Sequence, residues 1–163
     1  MTDFMLSQVL IGVAFCLDLA SFQFRSKYKV LLCLTCATSL IACHFWLLEA
    51  TSAALIAAIC AVRFLSAAAT RSGWLMLVFL VLIVGSAYFT YAGALTILVT
   101  TASCVSTWGA FRATDKLFRQ IMMVSAVLMM VHNGLANSPA GVLLEIFFFS
   151  SNALAYYRFY LRR

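Results

Sequence analysis

Charge and proline are what this sequence has least of: its 163 residues hold five acidic and eleven basic side chains and one proline, Pro139. Charged residues make up 10% of the chain, against about 25% in soluble domains, and hydrophobic residues make up 65%. An apolar excess of that size cannot be wrapped in a polar shell. It excludes an ordinary water-soluble domain and leaves a lipid bilayer as the solvent. There is no HExxH, no GxSxG nucleophile elbow and no glycine-rich phosphate loop, and little chain is left outside the apolar runs to build a catalytic site. The chain is therefore expected to be no enzyme and to use no cofactor and no metal. No short apolar stretch ends at a small-residue cleavage site ahead of a polar remainder, so no removed signal is expected.

The net charge of +6 raises nucleic acid as a partner. The basic residues stand in short clusters between apolar runs instead of lining one face, which argues against it. All six cysteines (Cys16, Cys33, Cys36, Cys43, Cys60 and Cys104) lie inside apolar runs. Cys33 and Cys36 form a CxxC, but metal binding and thiol exchange need stabilised thiolates, which an apolar helix disfavours. They read as small hydrophobes.

At about 1.5 Å rise per residue, roughly 20 apolar residues cross the hydrocarbon core. The charges then mark seven spans: 4–22, 30–48, 50–69, 73–90, 94–111, 117–135 and 139–161. The uncharged stretch 73–111 is about twice too long for one crossing and folds back at Tyr91-Ala92-Gly93. The seventh span starts at Pro139, with Ser138 as its cap. Arg25, Lys27 and Lys29 follow the first span, Arg71 the third, Arg112, Lys116 and Arg119 the fifth, and Arg158, Arg162 and Arg163 close the chain. With seven crossings every basic cluster falls on one side, which places the N-terminus outside and the C-terminus in the cytoplasm.

Two stretches repeat. "FRSKYKVLLCLTCATSLIACH" begins at Phe24 and "FRATDKLFRQIMMVSAVLMMVH" at Phe111; Arg112 follows Arg25 by 87 positions, Lys116 follows Lys29 by 87, and His132 follows His44 by 88. Both open at a cytoplasmic turn and run outward, and four crossings separate them, so they share one orientation. The expected fold is an all-α integral membrane protein of two parallel three-helix repeats, residues 1–70 and 93–163, joined by a linker transmembrane helix over 71–92. Parallel repeats of this kind occur in secondary transporters.

The 3+1+3 order, the size and the orientation resemble the SWEET and PQ-loop transporter architecture, although the Pro-Gln dipeptide is absent. The pattern "HFWLLEATSAALIAAICAVRFLSA" from His44 to Ala67 resembles the YgjV-like bacterial inner-membrane protein family. That resemblance covers most of the chain. It implies an inner-membrane location and names no substrate.

Polar residues inside spans are costly and mark paths or helix contacts. Asp18, Arg63 and Asn152 fall at one depth, roughly 20 Å from the outer face by helical rise, and are the substrate-path candidates. In SWEET-like proteins the helices corresponding to those of Arg63 and Asn152 face the substrate path, as the resemblance implies. Arg63 and Asp18 could also pair and lock the first repeat. His44, His132 and Glu145 lie near the outer end and are the outer-gate candidates. The small residues of the third span predict that it is central to packing. Phe147–Phe149 and the run Tyr156, Tyr157, Phe159, Tyr160 read as lipid contacts and an interfacial belt.

The resulting expectation is a transporter or facilitator for an unidentified small-molecule solute, working from a cavity between the two repeats. The other reading is a non-transporting membrane scaffold or sensor subunit. Lipid is a partner in both, nucleic acid in neither, and a homo-oligomer is compatible with both.

Overall fold

The computed structural model describes residues 3–89, 91 and 93–162, and of Ser52 only the backbone. Among them are seven α-helices and no strand: α1 (Asp3–Ser21), α2 (Lys27–Leu47), α3 (Thr51–Ala69), α4 (Gly73–Phe89), α5 (Ala94–Arg112), α6 (Asp115–Leu135) and α7 (Pro139–Tyr156), with α7 widening into a π-helical turn over Tyr157–Leu161. One helix falls on each expected span. Thr90 and Ala92, at the expected break, lie outside the described residues, as does Arg163 of the C-terminal basic cluster. By length and composition four helical stretches can cross a bilayer: Asp3–Ser21, Lys27–Leu47, Ala94–Arg112 and Pro139–Leu161. The described apolar parts of α3 and α4, Ala53–Ala69 and Gly73–Phe89, are shorter, and α6 opens with Asp115, Lys116, Arg119 and Gln120.

The helices run unbroken because nothing in them breaks a helix. The chain's proline sits at the first position of α7, where the missing N–H has no helical partner to lose, and the Ser138 hydroxyl caps that end by accepting from Gly141 N–H at 3.3 Å. Several Ser and Thr within the helices turn their hydroxyls onto carbonyls three or four residues back, as Thr38 does onto Leu34 at 2.7 Å and Thr107 onto Ser103 at 2.6 Å, and Ser125 donates to the Ala102 carbonyl of α5 at 3.0 Å. This satisfies them without water.

The chain divides into two compact units, Met1–Ala69 and Thr70–Arg163. In the first, α2 packs against both α1 and α3. The expectation that the third span is central to packing is therefore corrected: α3 lies on α2 through Ala54, Ala57, Ala61, Phe64 and Ala67, all buried, and α2 is the helix with neighbours on two sides. The small residues do serve close approach, but a stripe of them serves one partner at a time. In the second unit α6 holds the same middle place between α5 and α7, and α4 lies against α5, where Phe79 meets Phe111 with ring centroids 6.0 Å apart.

The turns that follow the two middle helices match bond for bond. Glu49 and Asn137 both take left-handed backbone, φ 58° and 54°. Glu49 N–H donates to the Trp46 carbonyl at 3.0 Å and Ala50 N–H to that of Phe45 at 3.0 Å; Asn137 donates to Gly134 at 3.2 Å and Ser138 to Asn133 at 2.9 Å. Both are Schellman-type helix ends, and each residue of one lies 88 positions from its counterpart in the other.

Candidate functional site

The two expected gate histidines occupy matching places, three residues before the ends of α2 and α6. His44 Nδ1 lies 2.8 Å from the Ser7 carbonyl oxygen on α1, and His132 Nδ1 lies 3.0 Å from the Leu95 carbonyl oxygen on α5. A carbonyl only accepts, so each Nδ1 carries the proton and donates. His44 is buried and His132 half-buried. Each imidazole thus ties the middle helix of its unit to the helix before it. Glu145 is half-buried on α7. Among the described residues no three His, Cys, Asp or Glu side chains are grouped so as to hold a metal ion.

Of the substrate-path candidates, Asn152 is fully buried, and its partner is a residue that sequence reasoning placed at the cytoplasmic rim. Asn152 Nδ2 donates to the Arg119 carbonyl at 2.8 Å, and Arg119 Nη1 donates to Asn152 Oδ1 at 3.4 Å. The Arg119 side chain is 1% exposed, with its guanidinium carbon 5.2 Å from the centre of the Phe159 ring. One residue along, Gln120 donates to the Tyr156 hydroxyl at 3.0 Å. α6 is thereby clamped to α7 and to the π-helical turn by an amide, a guanidinium and two aromatic residues. The aromatic run is accordingly more than an interfacial belt: Tyr157 is exposed, whereas Tyr156 and Phe159 meet α6. The signal for Arg119 was present in the repeat. Counting back 88 positions puts it on Leu31, which is fully buried, and puts Asn152 on buried Phe64.

Arg63 and Asp18 belong to the first unit. Arg63 is buried on α3, with its guanidinium carbon 4.6 Å from the centre of the Phe64 ring, a cation–π contact. Asp18 is half-buried in the last full turn of α1. Among the described residues no ion pair joins it to Arg63, although the sequence places the two at one depth. The reason is the packing order: α1 and α3 each pack mainly on α2. The cysteines are free thiols; Cys16, Cys36 and Cys43 are exposed on apolar helices.

The family model described as bacterial inner membrane protein, Imp-YgjV, matches residues 5–163. Inner membrane protein YgjV of Escherichia coli (strain K12) is 30% identical over 160 residues, covering 98% of this chain and 87% of that protein. No solved structure matches the chain.

Proposed function

As the chain belongs to the bacterial inner membrane protein family Imp-YgjV, we propose that it carries a small polar solute across the inner membrane, using two parallel copies of one three-helix unit with α4 as the linker. The observation that carries the reading is the correspondence at a spacing of 88: His44–Ser7 with His132–Leu95, and the turn at Glu49 with the turn at Asn137. A duplicated unit of parallel orientation is a known plan for transporters. Polar side chains in the apolar interior, Asp18 and Arg63 in the first unit and Asn152 in the second, supply the contacts a solute needs, and His44, His132 and Glu145 lie toward the end expected to face the periplasm. The basic residues at the other helix ends support a cytoplasmic C-terminus and a periplasmic N-terminus. The protein is read as a non-enzymatic carrier.

The test is flux in proteoliposomes for a panel of sugars, amino acids, vitamins and organic anions. Uptake above that of protein-free vesicles for one class, reduced several-fold in Arg63→Ala, supports the reading. A folded, monodisperse protein that moves none of them overturns it.

One set of contacts favours the second reading, a scaffold or sensor subunit without transport. His44, His132 and Asn152 are all engaged in holding helix to helix. Under that reading, substitutions at these three sites change stability and leave the panel's flux at the protein-free level throughout.

A further inference from the structure

Asp18 stands apart from the other polar residues of the apolar interior. His44, His132, Arg119 and Asn152 each have a hydrogen-bond partner on a neighbouring helix. Beyond the helical backbone bonds of α1, the bond at Asp18 is to its backbone carbonyl, which accepts from the Ser21 hydroxyl at 2.6 Å; among the described residues its carboxyl group has neither hydrogen bond nor ion pair. At about 3.6 residues per turn Asp18 lies within about 20° of Ser7 around the helix, on the same face as Ser7, Ala14 and Ser21, the buried residues of α1. That face meets α2. Since Ser7 is bonded to His44 and the two helices run antiparallel, Asp18, eleven residues after Ser7, comes level with Cys33, eleven before His44.

α2 is the helix packed on α1, and the ionisable groups of its lower half are Lys27, Tyr28, Lys29, Cys33 and Cys36. Tyr28, Lys29 and Cys36 are exposed. Lys27 is buried, and no ion pair joins it to Asp18. A carboxylate inside a helix pair with no cation and no donor gives the fold nothing and is costly to keep charged. The corresponding residue of the second unit, 88 positions on, is Ser106, buried and bonded to the Ser103 carbonyl at 3.0 Å. The acid therefore belongs to the first unit alone.

We propose that Asp18 is a proton-carrying site, and that solute movement is coupled to the proton it takes up and releases. The coupling half rests on the transporter reading; the proton site does not. A hard metal cation is held by several oxygens at once, and among the described residues Asp18 belongs to no group of metal-holding side chains. A proton needs only the single carboxyl group.

The measurement is pH-difference infrared spectroscopy of the full chain in lipid nanodiscs, scanned between about pH 5 and about pH 9, for wild type, Asp18→Asn and Asp18→Glu. The expected result is a carboxyl C=O band present in wild type, lost in Asp18→Asn and displaced in Asp18→Glu. Identical spectra for wild type and Asp18→Asn overturn the proposal. Should Asp18→Asn fail to fold, an unchanged spectrum in Asp18→Glu overturns it equally. In proteoliposomes carrying a lumenal pH dye, flux of a solute from the panel should bring proton movement that disappears in Asp18→Asn. Solute flux without proton movement overturns the coupling. A band at Asp18 with no flux for any solute removes the transporter reading and the coupling together, and leaves the proton site standing.

Discussion

The imidazole of His44 donates to the backbone carbonyl of Ser7 at 2.8 Å, 37 positions back along the chain, and His132 makes the same bond to Leu95 across the same 37 positions at 3.0 Å. A side chain that bonds to a carbonyl of another helix sets the distance and the register between the two. The bond repeats in the second unit although its acceptor residue changes from Ser to Leu, because the acceptor belongs to the backbone.

Replacing either histidine by alanine should loosen its helix pair. Hydrogen bonds between membrane helices contribute about 0.6 kcal/mol on average and up to about 1.7, and the loss also strands a carbonyl. We expect about 1 kcal/mol for each, larger for His44→Ala because His44 is the more buried. Reversible unfolding in mixed micelles, wild type against each variant, measures it. Equal stability in both variants would mean the bonds set register without adding stability.

Asn152→Ala should be the most damaging of the polar truncations. It removes the amide that bonds Arg119 and leaves a buried guanidinium one acceptor short, a loss that costs about 1–3 kcal/mol. The double variant Arg119→Leu, Asn152→Phe installs the two residues that stand buried at the matching positions of the first unit, Leu31 and Phe64. It should recover most of the loss. Unfolding midpoints of the single and double variants decide this, and a double variant no better than the single would count against the equivalence of the two units.

Glu49 and Asn137 share a left-handed backbone, which costs glutamate more than asparagine. Glu49→Gly should raise stability by about 1 kcal/mol, whereas Asn137→Gly should change it by only a few tenths of a kcal/mol, so roughly not at all. Thermal denaturation of the two variants side by side gives the comparison.

A methyl group added at Gly109 would come within 2.7 Å of Ile121 Cγ2 and 3.2 Å of its Cβ. Gly109→Ala should therefore force α5 and α6 apart and cost about 1–3 kcal/mol. Ile121→Ala in the same chain should relieve the clash, giving a favourable coupling energy in a double-mutant cycle. Independent, additive losses would place the contact elsewhere.

Much of the fold was legible in the residues. The seven helices fall on the apolar runs between charge clusters because the demand that a span be apolar is local, and Pro139 marks the start of α7 because a proline there costs nothing. The spacing of 88 was legible too, in Arg, Lys and His. The burial of Arg119 was not legible for an equally local reason: it stands four residues after Asp115, in a charged stretch. Only its match to Leu31 signals burial. The pairing of Asp18 with Arg63 was drawn from depth alone, and depth says nothing of which helices touch.

From the sequence alone come the membrane as solvent, the number and ends of the helices, and the register of the two similar stretches. Each follows from hydropathy and charge summed along a short segment. The tertiary structure alone decided that the middle helix of each three is the one with two neighbours, that the histidines are bonded to carbonyls, that Arg119 is clamped by Asn152 and Phe159, and that the Asp18 carboxyl has no bonded partner among the described residues. Those outcomes depend on which faces of which helices meet. A backbone carbonyl, the acceptor in three of these contacts, is present at every residue and so leaves no mark in the sequence.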